Sequence, residues 1–168
     1  HAEVAVSVNV NVARSDDDPD GYLEATIHEA MRARPVIPII GRRVTRRWQL
    51  GDYVVPPGAA VLMSILLLHH RDDVYPEPFA FKPERFLEEA PDTYAWIPFG
   101  GSVRRCIGAT FAEFELRIVL REVLTRCELH KASTRPEKIG RRNITLSPKQ
   151  GTPVIVLDRR PAQQLVAV

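Results

Sequence analysis

The chain has 168 residues, 45% hydrophobic and 26% charged, with a net charge of +2. That is enough chain to bury one core, and its ordinary globular composition excludes a collagen-like, low-complexity or polycationic polymer. No run of about 18 apolar residues is available to cross a bilayer as a helix, and two cysteines do not make a disulfide scaffold.

In chain order, Val4, Val6, Val8, Val10 and Val12 alternate with small or polar residues, a period of two that predicts a strand with one apolar face. The stretch lacks the basic start and continuous apolar core of a signal peptide. Residues 15–21 read as an exposed loop, so 1–21 form an irregular N-terminal segment. Leu23, Ile27, Ala30 and Met31 recur at helical spacing and predict a helix over 22–33, ended by Pro35, which disfavours the αR conformation at Arg34. Residues 44–50, 53–55 and 59–63 read as a meander turning at Gly51-Asp52 and again at Pro56-Pro57-Gly58. The apolar run 64–69 is too short for its period to assign it, and 75–82 is rich in turn residues. The longest helix is expected over 107–127. Glu113, Arg117 and Arg121 form a charged stripe there, flanked by Phe111, Phe114 and Ile118 on one side and Leu116, Val119, Leu120, Val123 and Leu124 on the other, so most of it should be buried. A last hairpin is expected to run through 143–146, turn at 148–151 and return through 152–157. The tail beyond Arg160 is expected to fray.

Three short runs carry chemistry. Glu29 and Arg32, three apart, share a helix face and can pair. Pro83-Glu84-Arg85-Phe86 places an arginine on a proline-rich turn, where by itself it reads as a solvated charge. The third run extends from Phe99 to Gly108 and holds Cys106 at the entrance of the long helix. Gly100, Gly101 and Gly108 let the backbone turn sharply and approach a ligand closely. The positive end of the helix dipole favours an anionic sulfur, which is a metal ligand or a nucleophile. Taken alone, Cys106 is better read as a small buried packing residue, and only the other two runs reverse that reading.

Taken together and in this order, E-x-x-R at 29–32, P-E-R-F at 83–86 and F-x-x-G-x-R-x-C-x-G at 99–108 resemble the cytochrome P-450 family of haem-thiolate monooxygenases. Ser102 stands where the family usually has glycine. If the backbone there has positive φ, serine carries strain of roughly 1 kcal/mol. The resemblance implies a mainly helical α+β fold: the C-terminal part of the family's architecture over residues 22–160, with small β-meanders, a short helix at 64–69 and a long helix after the haem-ligand loop. Residues 161–168 form the tail.

It further implies haem b as cofactor with Cys106 as the axial thiolate. A thiolate pushes electron density onto iron and favours O–O cleavage. Arg104 would pair with a haem propionate, to which a planar guanidinium fork is suited. Phe99 and Gly108 would bound the cofactor site, and Arg42 or its neighbour Arg43 would reach a propionate. Glu29, Arg32 and Arg85 would form a buried structural triad. The implied activity inserts one atom of dioxygen into a small organic substrate, with electrons from a ferredoxin or flavoprotein reductase that Arg105 and other basic side chains could help dock. The implied location is cytoplasmic. Residues 36–40 and the tip of the last hairpin would contact substrate. The family's distal A-G-x-D/E-T run does not occur here, so the resemblance implies a C-terminal piece with no catalytic residue beyond the haem ligand. The alternatives are an inactive truncated remnant and a haem-binding, sensing or partner-binding module.

Competing readings fail on spacing. His70-Arg71-Asp72 is not a kinase catalytic loop, because Glu77 stands where that loop needs asparagine. His69 and His70, being adjacent, are poorly placed to share a metal. The arginine pairs at 42–43, 46–47, 104–105 and 141–142 are accompanied by no nucleic-acid recognition module. Cys127 is expected in the core.

Overall fold

The computed structural model describes residues 19–87 and 90–159. The alternating-valine strand and the frayed tail expected from the sequence fall outside them.

Helix α1 spans Pro19–Ala33. It begins three residues earlier than the periodicity predicts, because proline in a first turn forfeits an N–H that has no helical partner anyway. Tyr22, Ala25, Glu29 and Arg32, at helical spacing, are all buried, as are Leu23 and Ile27 beside them. The core is therefore built around this helix, and two of its most deeply buried side chains are charged.

Four short strands follow. β1 (Ile39–Arg43) pairs antiparallel with β4 (Ala60–Ser64), in a register that opposes Arg42 to Val61. Between them β2 (Trp48–Leu50) and β3 (Tyr53–Val55) form a separate hairpin. Gly51 opens its two-residue turn with φ +56°, a left-handed value that suits glycine. This corrects the single meander expected from the sequence. Val44 ends the outer ladder, its N–H on the Ala59 carbonyl at 2.9 Å and its own carbonyl accepting from Gly58 at 2.7 Å. β1 has its partner some twenty residues away, and local periodicity does not report such pairing.

α2 (Ile65–His69) is the short helix that the resemblance implies, capped by Ser64, whose hydroxyl accepts from the Leu67 N–H at 3.2 Å. The Pro83–Phe86 run forms a 3-10 turn packed on α1.

Helix α3 (Ala109–Arg126) differs most from expectation: of its residues only Ala109 is fully buried, while Phe111, Phe114, Ile118 and Val119 are exposed. Its charged stripe, not an apolar flank, faces α1. Arg117 Nη2 lies 3.0 Å from Glu24 Oε1, and Arg121 Nη2 lies 2.7 Å from Asp20 Oδ1. These exposed ion pairs bridge the two helices, while Phe111, Phe114, Ile118 and Val119 stay exposed and Leu120, Val123 and Leu124 are half-buried.

β5 (Cys127–Lys131) pairs antiparallel with β8 (Val154–Arg159), and β6 (Ile139–Arg142) with β7 (Thr145–Pro148). The expected last hairpin is therefore wrong in its turn and in its partners. Asn143, at φ +57°, adopts the left-handed turn conformation that asparagine tolerates, and so the chain reverses at 143–144 rather than at 148–151. Half-buried Cys127 joins α3 to β5.

Candidate active site in the Cys106 loop

The loop before α3 is held by its own backbone. Gly100 donates to the Ile97 carbonyl at 2.9 Å and has φ +71°. A 3-10 turn at Ser102–Arg104 follows, and the Arg105 N–H closes it on the Ser102 carbonyl at 3.0 Å. The Cys106 N–H then returns to the Phe99 carbonyl at 2.9 Å, so Phe99 acts through its backbone to fix the cysteine. Its ring packs edge-on to Trp96, with centroids 6.4 Å apart. Ser102 has φ +58°, the left-handed value that favours glycine, and its hydroxyl has no hydrogen-bond partner among the described residues. Ser102→Gly should therefore stabilise the chain by about 1 kcal/mol, seen as a higher urea midpoint at an unchanged slope. An unchanged or lower midpoint would show that the loop relieves the strain elsewhere.

The Cys106 sulfur is exposed, not packed inward. Gly108 begins α3 as its N-cap, and a Cβ added there would sit 3.9 Å from the sulfur, so glycine keeps that side of it open. Val103 and Ile107, on either side of Cys106 in the chain, are fully exposed apolar residues. Among the described residues no group of three His, Cys, Asp or Glu side chains is placed to hold a metal ion. A single sulfur on an open loop, with exposed Val103 and Ile107 near it, fits a metal whose remaining positions are filled by a planar macrocycle better than it fits a bare ion.

Two arginines of the loop diverge. Arg105 turns toward Glu113 of α3, with Nη2 3.9 Å from Oε1, whereas Arg104 is exposed and has no partner among the described residues. Arg42, on β1, donates to the Gly41 carbonyl at 2.8 Å. A Cβ at Gly100 would touch the Ile40 side chain at 3.8 Å, and Arg42 shares a strand face with Ile40, so β1 presents Arg42 on its loop-facing side. Residues 36–40, expected to contact substrate, meet the β6–β7 hairpin, whose turn lies at 143–144 rather than at the expected tip 148–151: the Leu146 N–H donates to the Val36 carbonyl at 2.7 Å, beside exposed Val36 and Ile144.

Beneath the loop, Glu29, Arg32 and Arg85 come together. Arg32 grips Glu29 through Nε at 2.6 Å and Nη2 at 2.9 Å, with both side chains wholly buried. The Lys82 N–H adds a third bond to Glu29 at 2.8 Å. Arg85 Nε lies 3.2 Å from Glu29 Oε2 but outside hydrogen-bonding direction, so its attraction there is coulombic, while its Nη1 donates to the Pro76 carbonyl at 3.3 Å. Arg32 also reaches the carbonyls of His69 at 2.6 Å and Ala80 at 3.3 Å, and its guanidinium lies 5.2 Å from the Tyr75 ring centroid.

Sequence reasoning overlooked His69. It is wholly buried, with Nε2 accepting from the Ile97 N–H at 3.0 Å and Nδ1 3.2 Å from the Arg32 carbonyl. Burial above all, with smaller contributions from the Arg32 and His70 charges, lowers its pKa to about 4 against the opposing hydrogen bond to Arg32. The available signal was a histidine closing the apolar run 65–68, where a polar side chain needs internal partners.

An α+β framework of helices and small antiparallel sheets, a buried carboxylate held between two arginines and an outward-facing cysteine at a helix entrance fit the class that the three sequence runs resemble, the haem-thiolate proteins. The comparisons with known proteins give that class its family. The Cytochrome P450 family pattern matches residues 21–155, and the chain belongs to that family. It is 40% identical over 137 residues to "Putative cytochrome P450 138" of Mycobacterium tuberculosis, covering 81% of this chain and 31% of that protein. It is 37% identical over 155 residues to "Putative cytochrome P450 135B1" of Mycobacterium bovis, covering 91% and 33%. Among solved structures, retinoic acid-bound cyanobacterial CYP120A1 superposes with a TM-score of 0.74 at 25% identity, covering 82% of this chain and 32% of that one. The fold is thus a partial P450 fold, and the chain spans about a third of the length of the relatives it matches. No helix among the described residues is long and apolar enough to cross a membrane.

Proposed function

We propose that this chain is the haem-thiolate portion of a P450 monooxygenase, with Cys106 as the axial ligand. Bound haem would supply the dioxygen chemistry that places one oxygen atom in an organic substrate. The chain's own residues hold and orient it. The Phe99 carbonyl fixes the Cys106 backbone, and Gly108 leaves the sulfur uncovered. Arg104 and Arg42 offer guanidinium groups to the two propionates, and the buried pair Glu29–Arg32 with Arg85 braces the ground under the loop. Residues 36–40 and the 143–144 turn offer apolar surface to substrate, and exposed Arg105, with other basic side chains, gives an acidic electron donor a basic place to dock. The uncovered apolar flanks of α3 are the surface on which the rest of a P450 fold would pack. No A-G-x-D/E-T run occurs in these 168 residues, so the chain by itself is expected to bind haem without turnover.

The observation that carries this reading is an exposed cysteine at the mouth of α3, in a loop closed by the Cys106–Phe99 bond. Reconstitution with haem, reduction and exposure to carbon monoxide should give a thiolate-type Soret band. In Cys106→Ala the band should vanish while the far-ultraviolet dichroism stays unchanged. Failure of the parent chain to take up haem, or persistence of the band in the variant, would overturn the assignment.

A further inference from the structure

The loop that presents Cys106 is tied to the buried ion pair by the His69 side chain, while Trp96 at its base donates Nε1 to the His28 carbonyl of α1 at 3.1 Å. His69 ends α2, and neither of its ring nitrogens touches solvent or the loop's cysteine. The Ile97 N–H is directed at Nε2, so that nitrogen carries no proton and Nδ1–H donates to the Arg32 carbonyl. Arg32 returns the contact by donating Nη1 to the His69 carbonyl at 2.6 Å. Residues 32 and 69 are thus locked in both directions. From Ile97 the path continues up the loop, because the Ile97 carbonyl accepts from Gly100 and the Phe99 carbonyl accepts from Cys106. Tyr75 packs against the imidazole edge-on, with centroids 6.2 Å apart, and closes the ring's remaining side.

We infer that His69 is a positioning residue for the axial cysteine: its neutral, Nδ1-protonated imidazole transmits the placement of the Glu29–Arg32 pair to the Ile97–Cys106 loop. This rests on the reading of Cys106 as a haem ligand for its functional meaning, but not for its mechanical content. The two nitrogens have separable roles. A glutamine at 69 can set an amide oxygen where Nε2 lies and keep the acceptor for Ile97. An asparagine can set an amide N–H where Nδ1 lies and keep the donor to Arg32, but it leaves the Ile97 N–H buried without an acceptor. Phenylalanine keeps the volume and removes both.

Amide hydrogen exchange on the full chain tests this without cofactor. In His69→Asn and His69→Phe the amides of Ile97, Gly100 and Cys106 should exchange about tenfold faster, the size expected for losing one buried hydrogen bond, while Ile27 in α1 keeps its protection. His69→Gln should retain the parent rates in the loop. Should phenylalanine prevent folding, asparagine against glutamine decides. Equal acceleration in α1 and the loop would mean that His69 merely fills space, and parent rates at Cys106 in His69→Asn would mean that the loop stands without it. Either result overturns the inference. The haem-loaded chain supplies the second readout: the thiolate-type Soret band should be lost in His69→Asn and kept in His69→Gln. If the parent shows that band and His69→Asn keeps both band and rates, the positioning role fails and the haem reading stands. If the parent takes up no haem yet the exchange pattern appears, the positioning role stands and the haem reading fails.

Discussion

Glu29→Leu should leave the chain unable to fold at neutral pH. The carboxylate is wholly buried and accepts from Arg32 Nε, Arg32 Nη2 and the Lys82 N–H, with Arg85 3.2 Å away. Removing it strands one fully buried guanidinium and one largely buried beside it. Breaking a buried pair from one side costs about 3–5 kcal/mol, and the orphaned Lys82 amide adds about 1–3. A domain of this size holds only about 5–15 kcal/mol in total. Circular dichroism should show lost helix, and urea titration no cooperative transition. Replacing all three charged residues with leucine should restore part of the structure, since an apolar set of similar volume avoids uncompensated charge. Recovery will be partial, because the carbonyls of His69 and Ala80 lose the donors that Arg32 provides. A Glu29→Leu variant with the parent's urea midpoint would remove the ion pair from its central place.

Acid should destabilise the chain well before the carboxylates titrate, and His69 should be the largest single reason. Its pKa is about 4 in the folded state against 6.5 unfolded. A depressed folded-state pKa means that the unfolded chain binds the proton first. Stability is therefore complete above pH 6.5 and falls as the pH drops toward 4, by on the order of 3 kcal/mol from this group. Burial sets the direction against the hydrogen bond to the Arg32 carbonyl, and the groups facing the ring add to it: Arg32 and His70 disfavour a further positive charge, Tyr75 packs on the ring, and the Ile97 N–H would oppose a protonated Nε2. His28 and His70, both held below the ordinary histidine range mainly by burial, act in the same direction. Urea unfolding at pH 7, 5.5 and 4.5 should show the loss in the parent, and His69→Gln should flatten the slope by the His69 share. Parallel slopes in the two proteins would mean that His69 is not the group responsible.

The chain's chemistry was legible wherever the decisive residues lie close together in sequence. Glu29 and Arg32 are one helical turn apart, so any helix through them puts both on one face, and the buried pair follows. Phe99 to Gly108 form a ten-residue run whose glycines and cysteine announce a turn at a helix entrance, and the positive φ at Ser102 is the conformation that a glycine there would serve. Ser64 ahead of an apolar run likewise marks a short capped helix.

What escaped the sequence depended on partners distant along the chain. β1 with β4 and β5 with β8 are pairings across tens of residues, and strand periodicity says which face is apolar but not which strand lies alongside. Nor does periodicity show that Asp20 and Glu24 of α1 meet the arginine stripe of α3 while Phe111, Phe114, Ile118 and Val119 face outward. His69 beside His70 looked like a poor metal pair. Only the folded chain brings the Ile97 amide and the Arg32 carbonyl to its two nitrogens and makes it the link between the ion pair and the cysteine loop. Local spacing thus determined which residues share a helix face or a tight loop, because a turn of helix or such a loop is set by adjacent residues. Their mutual placement was decided by tertiary structure, because burial and long-range hydrogen bonds exist only once the chain has closed on itself.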